Sequence, residues 1–241
     1  MIVPNNEENW YSIVTAECNS YPLPNDTINN CIDVGCNVGG FVNAWKNKIN
    51  KFYCIDASQY NIEQAVNNHQ DIPDERIFFV QSAVHSKSGD TLWLRPYKHG
   101  ENHANSGSFG TTDFVYESNG HGWVDTELKE EVTTISLEDL IEDALDFFGE
   151  NEVDLMKIDI EGAEYDFLFG KDLSNIKWIV GEIHNFLGKM PSSQNGVDRS
   201  TALHDHILKT HTLEYSSGDG LNSHFVRLYK RINNGNSDSS S

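Results

Sequence analysis

The chain has 241 residues, with 17 Lys and Arg against 37 Asp and Glu, for a formal net charge of −20. That length suits a single large α/β domain, and no apolar run approaches the roughly 18 residues of a membrane span. A chain this acidic lacks the basic face that binding to nucleic-acid phosphates or an anionic bilayer requires, so neither partner is expected. The charge itself reads as solubility or a salty habitat.

The N-terminal stretch MIVPNNEENWYS carries acids where a secretory signal needs a basic start and an apolar segment, so export by that route is not expected. Cysteines at 18, 31, 36 and 54 form no Cys-x-x-Cys pair and no zinc pattern. Cys31 and Cys54 fall in apolar runs and read as small core residues of a reduced, cytoplasmic protein.

Residues 1–29 are polar, with prolines at 4, 22 and 24, and read as an irregular arm or cap. A regular alternation then begins. Residues 30–35 form a short apolar run ending at glycine, and 38–49 place apolar side chains at helical spacing. Residues 52–55 form a second strand ending in Asp56, 59–69 a helix, and 76–80 a third strand. Strand, helix, strand, helix, strand predicts a parallel sheet with helices on its faces.

The middle breaks the rhythm. Residues 83–95 predict a hairpin around Ser88-Gly89-Asp90. The stretch at about 96–130, rich in Gly, His and Asn, predicts a loop-rich insertion. Residues 131–136 predict a strand, and Ser136 an N-cap for the acidic-start helix that follows. Strands at 153–159 and 176–183 flank a short helix at 162–169, and a helix spans 198–209. Strands at 211–216 and 222–230 form a closing hairpin around Ser217-Gly218-Asp219-Gly220, and 232–241 reads as a disordered tail.

The densest local signal is Asp33-Val34-Gly35-Cys36-Asn37-Val38-Gly39-Gly40, at a strand-to-helix turn. Glycines there permit a sharp turn and close ligand approach, and open N–H groups of the helix start attract a carboxylate. The Gly35–Gly39 spacing does not fit Gly-x-Gly-x-x-Gly, and Asp33 would repel a diphosphate. Asp56, ending the next strand, is placed to accept both hydroxyls of a ribose. A nucleoside with an amino-acid tail satisfies both features, and S-adenosylmethionine is such a molecule.

These segments carry a family resemblance. CIDVGCNVGGF at 31–41, FYCIDAS at 52–58, VQSAV at 80–84, TTISLEDL at 133–140, VDLMKIDIEGAEYDFL at 153–168 and IVGEIH at 179–184 resemble the FkbM-type S-adenosylmethionine-dependent methyltransferases. The resemblance implies a class I methyltransferase (Rossmann-like) fold: a seven-stranded sheet of six parallel strands and one antiparallel. It implies methylation of a hydroxyl oxygen, commonly on a sugar or polyketide-type product. Asp33, Gly35, Asn37 and Gly39 match the cofactor turn. Asp56 matches the ribose acid, although the family more often has Glu followed by Pro, where Ala57 stands here. Ser82 and Ala83 fall where such folds contact adenine.

Lys157, Asp159 and Glu161 alternate along a strand and its exit, so they share a face. Lys157 lies in an apolar strand and needs a partner, for which Asp33 is placed. Asp159 and Glu161 are placed to hold or deprotonate an acceptor, and Glu164 reads as a first-turn charge. Glu182 and His184 end the next strand. With Asp159 they make a carboxylate–carboxylate–imidazole set open to three roles: acid/base pair, divalent-cation site, or a structural or substrate-orienting one.

His99, His103 and His121 read as solvated loop residues, and His204 and His206 do not share a helix face. Trp93, Tyr116 and Trp123 are compatible with either sugar stacking or packing. The expected activity is O-methyl transfer from S-adenosylmethionine to a small-molecule or glycan acceptor. The alternatives are a cofactor- or glycan-binding module without turnover, and a nicotinamide-dependent oxidoreductase.

Overall fold

The computed structural model describes residues 7–94, 130–160, 162–184, 199–218 and 226–232. The first helix is α1 (Glu7–Cys18), followed by β1 (Ile28–Val34), α2 (Gly40–Trp45), β2 (Ile49–Asp56), α3 (Gln59–Asn68) and β3 (Ile77–Gln81). Next come β4 (Ala83–Val84), β5 (Thr91–Leu94), β6 (Glu130–Ile135), α4 (Leu137–Phe148), β7 (Val153–Ile158) and α5 (Glu164–Leu168). The chain closes with β8 (Ile176–Glu182), α6 (Arg199–Ile207), β9 (His211–Ser216) and β10 (Val226–Arg231).

Seven strands form one sheet in the order β3-β2-β1-β7-β8-β10-β9. Pairing is parallel from β3 through to β8, and β10 runs antiparallel to both β8 and β9. This is the seven-stranded α/β class I arrangement with its C-terminal antiparallel pair. The central strands are buried on both faces, as parallel strands covered by helices must be. One core joins Ile32, Val34, Ile55 and Met156 to α4, α5 and α6. The other joins Cys31, Phe52, Cys54 and Leu155 to α1, α2 and α3. All four cysteines are free and buried, so Cys31 and Cys54 are core residues as expected.

Local chemistry sets the element ends. Ser136 caps α4 by accepting from the Asp139 N–H, and Gly149 closes it in the left-handed region at φ 68°. Ser58 caps α3 by accepting from the Asn61 N–H.

Three expectations are corrected. Residues 7–18 form a helix where an irregular arm was read. Trp10, Val14 and Cys18 recur every four residues, a signal hidden among acids and asparagines. The helix predicted over 38–49 covers only 40–45, because Ile49 already pairs with Ile28 as the first residue of β2. The 83–95 segment is not a hairpin: β4 and β5 flank β6 on opposite sides, parallel and antiparallel respectively. Its turn residues bind β6 and the start of α4 instead. The Gly89 N–H donates to the Thr134 carbonyl at 2.9 Å, and Ser88 Oγ accepts from the Ser136 N–H at 2.7 Å.

The predicted insertion, apart from Glu130, lies outside the described residues, as do the tail from 233 onward and most of the final hairpin turn. Among the described residues no helix is long and apolar enough to cross a membrane.

Candidate active site at the carboxyl ends of the strands

The candidate site residues follow one another in sheet order. Ser82 follows β3, Asp56 ends β2, Gly35 follows β1, Asp159 follows β7, Glu182 ends β8 and His184 lies two residues beyond it. Four strand steps of about 4.8 Å spread them over about 19 Å. They border a cavity of about 490 Å³, within the size range of small-molecule sites.

The turn after β1 is tightly built. Gly35 has φ 73°, and a Cβ there would strike the Asp159 carbonyl oxygen, so the turn seats directly on the exit of β7. Asn37 adopts φ 51° and accepts the Val38 N–H on its own side chain at 2.7 Å. Gly39, at φ 85°, leaves no room for a side chain against His69. The N–H groups of Gly35 and Cys36 both donate to the Ile55 carbonyl, and that of Gly39 to the Cys36 carbonyl. The Asn37 N–H donates to Asp56 Oδ2 at 2.9 Å. These four N–H groups are therefore committed to β2 and within the turn; the open N–H groups expected at the helix start belong to the residues that follow, from Gly40 onward.

Asp56 organises the far side of the cavity. Its Oδ1 accepts from the Ser58 N–H at 2.9 Å and from Asn61 Nδ2 at 3.1 Å. Burial pushes its carboxyl up to about 6, against the pull of the hydrogen bonds from Ser58, Asn37 and Asn61.

Behind the turn, Asp33 and Lys157 are direct register partners on β1 and β7. Lys157 Nζ lies 3.2 Å from Asp33 Oδ1 and donates to the Gly35 carbonyl at 2.7 Å. Burial alone would depress Lys157, but the carboxylates of Asp33 and Asp159 outweigh it and hold the ammonium above its usual value.

At the other end, three carboxylates surround one imidazole. His184 Nδ1 lies 2.8 Å from Glu164 Oε1, while Nε2 faces Glu182 Oε2 at 3.4 Å and Asp159 Oδ1 at 3.8 Å. Burial alone would lower His184. Hydrogen bonds to Glu164 and Glu182, and the charges of Glu164 and Asp159, overcome it and raise the imidazole to about 11. Tyr21 donates its hydroxyl to Asp159 Oδ2 at 3.1 Å. Glu17, from α1, lines the same end; burial, then the charges of Asp159 and Glu182, raise its carboxyl above the ordinary value.

Of the residues singled out by sequence, Gly35, Asn37, Asp56, Ser82, Lys157, Asp159, Glu182 and His184 line the cavity. Asp33, Gly39 and Ala83 do not. Asp33 faces Lys157 inside the sheet, Gly39 abuts His69, and Ala83 packs into the β5–β6 cluster. Glu161, His99, His103, His121, Tyr116 and Trp123 lie outside the described residues. Trp93 is exposed on β5, away from the cavity. His204 and His206 hydrogen-bond Tyr229 and the Lys171 carbonyl, and do not line the cavity.

Sequence reading missed two contributions. α1 supplies Trp10, Val14, Glu17 and Cys18 to the cavity wall. Glu164, read as a helix-start charge, is buried against His184; no spacing rule reveals that contact.

Comparisons with known proteins bear on this arrangement. A family model described as the methyltransferase FkbM domain matches residues 22–215. A search of curated proteins found no match. Among solved structures, the methyltransferase FkbM from Methylobacillus flagellatus KT is 12% identical at a TM-score of 0.45. The alignment covers 86% of this chain and 44% of that protein, so this chain spans less than half of its length. TrmK from M. capricolum, solved with S-adenosyl-homocysteine, is 10% identical at 0.43, covering 93% and 68% of the two chains. A ribosomal protein L11 methylase from Lactobacillus delbrueckii subsp. bulgaricus is 10% identical at 0.42, covering 92% and 79%. On the strength of the sequence match over residues 22–215, this chain belongs to the FkbM methyltransferase domain family.

Proposed function

We propose that this chain transfers the methyl group of S-adenosylmethionine to a hydroxyl oxygen, with a sugar of a glycan or glycosylated metabolite as acceptor. One observation carries the reading. A single cavity joins the Gly35–Asn37 turn and Asp56 to the Asp159–Glu182–His184 cluster. A cofactor laid along the strand ends has its ribose at Asp56 and its adenine toward Ser82. Its cationic sulfonium and ammonium groups then meet Asp159, Glu182 and Glu17. The same carboxylates repel a diphosphate, and the turn's committed N–H groups would not receive one. Both facts weigh against a nicotinamide cofactor. They also weigh against a polyanionic nucleic-acid acceptor.

In the reaction, the acceptor hydroxyl attacks the sulfonium methyl in line. The C–O bond forms, the C–S bond breaks, and its electron pair stays on sulfur. The hydroxyl proton passes to Asp159 or Glu182. His184 has its Nδ1 side fixed on Glu164, so it orients these carboxylates and the acceptor rather than taking the proton. Holding the two reactants in line is the protein's main contribution, on the order of several kcal/mol. α1 caps the cofactor in this arrangement. A metal-assisted form of the same transfer is the second reading, favoured by donor atoms of Asp159, Glu182 and His184 that all lie within 4.8 Å of one another.

Calorimetric titration with S-adenosylmethionine, followed by transfer of its labelled methyl to a panel of glycosides, tests the reading. Micromolar binding is expected, with Glu182→Gln retaining that binding but losing about 100-fold in turnover. A folded wild-type protein that binds NADH and not S-adenosylmethionine would overturn it.

A further inference from the structure

Most of the hydrogen-bonding capacity of Asp56 is taken up by the protein itself. An ionised carboxylate has two oxygens and about four lone-pair positions. Three are filled. The Asn37 N–H donates to Oδ2 at 2.9 Å, and the Ser58 N–H and Asn61 Nδ2 donate to Oδ1 at 2.9 and 3.1 Å. Oδ1 is saturated, and one position remains, on Oδ2. Asp56 is 8% exposed and lines the cavity, and this position is what it offers a ligand there.

Two of the three donors come from the start of α3. Ser58, its N-cap, accepts from the Asn61 N–H at 3.3 Å, so the first turn of the helix seats Asn61 beside the carboxylate. An ionised carboxylate only accepts, so the amide turns its Nδ2 toward Asp56. That orientation leaves Asn61 Oδ1 buried with no hydrogen-bond partner among the described residues. A buried acceptor without a partner lowers stability. The amide is therefore set by what it does for Asp56 and not by the needs of the core.

We propose that Asp56 reads one ribose hydroxyl, through Oδ2, rather than the two expected from its strand-end position, with Asn61 as the positioning residue that occupies Oδ1. The inference rests on the S-adenosylmethionine reading and narrows it: the two ribose hydroxyls of the cofactor are held unequally. One makes a charge-assisted hydrogen bond to Asp56, and the other makes none to it.

The test is calorimetric titration of the full chain with S-adenosylhomocysteine and its 2′-deoxy and 3′-deoxy analogues. It is run at about pH 8, above the value of about 6 to which burial raises the Asp56 carboxyl. One deoxy analogue is expected to lose at least about 5-fold more affinity than the other. A smaller difference overturns the proposal, since Asp56 then holds both hydroxyls alike. Asp56→Ala should abolish the difference; one that persists shows another group reading the hydroxyl and also overturns the proposal. Asn61→Leu keeps the volume while removing both the donor and the unpaired oxygen. Its melting temperature should stay within about 5 °C of wild type while the difference between the analogues shrinks. An unchanged difference removes Asn61 from the positioning role. Should Asn61→Leu unfold, the analogues on wild type decide. A folded wild-type chain that binds none of the three compounds overturns the S-adenosylmethionine reading and this inference with it, whereas binding without discrimination overturns this inference alone.

Discussion

Lys157 on β7 stands directly opposite Asp33 on β1, both side chains buried, and the same ammonium donates to the Gly35 carbonyl. The pair therefore lies beneath the cofactor turn and ties it to the sheet. Neither residue needs to touch a ligand to matter for binding.

Removing one partner leaves the other charge buried and alone. Lys157→Met is expected to destabilise the fold by about 3–5 kcal/mol, whereas the double change with Asp33→Asn recovers most of that loss. Urea unfolding of the two variants checks it. Equal stability of the single and double variants would count against the pair acting as a unit.

Gly35 tests the backbone rather than the charges. Its φ of 73° and the crowding of a Cβ against the Asp159 carbonyl make Gly35→Ala strained twice over. A loss of about 2–3 kcal/mol is expected from overpacking and backbone strain together. The melting temperature and the S-adenosylmethionine affinity should fall together, since the turn moves as one piece.

Asp56 gives a pH signature. Its carboxyl is pushed up to about 6 by burial from an ordinary value of 3.8. Between those values the folded chain holds a proton that the unfolded chain has lost. This stabilising contribution is complete below the unfolded value and is lost as pH rises through about 6, a change on the order of 3 kcal/mol. Ribose hydroxyls donate to the ionised carboxylate, so cofactor affinity should rise over the same window. Calorimetry from pH 5 to 8, alongside unfolding curves, should show the two trends running oppositely. Asp56→Asn should flatten both.

Trp10 reports on the α1 cap. Its indole lines the cavity, with Nε1 3.4 Å from Asn37 Oδ1. Cofactor binding should shift tryptophan emission, and Trp10→Phe should abolish most of the shift while weakening affinity about 3- to 10-fold through lost packing and one hydrogen bond. An undiminished signal in the variant would place the cofactor away from α1.

Much of the architecture was written in local pattern. The alternation of apolar runs with helical spacing located every strand of the large sheet, and Ser136 announced α4. Where turn chemistry alone was read, around Ser88-Gly89-Asp90, the expectation failed. Those residues could satisfy their hydrogen bonds equally well on β6, a strand about 45 residues away in sequence.

The site divides the same way. Strand-end position marked Asp56, Asp159, Glu182 and His184, because a parallel sheet collects its strand ends on one edge whatever the helices between them do. Pattern could not separate Asp33, which faces inward to Lys157, from Gly35, which faces the cavity. Nor could it show Glu164 behind His184 or Glu17 beside Asp159. Those contacts join residues brought together by sheet order and helix packing. Their strength depends on burial, which only the folded chain creates.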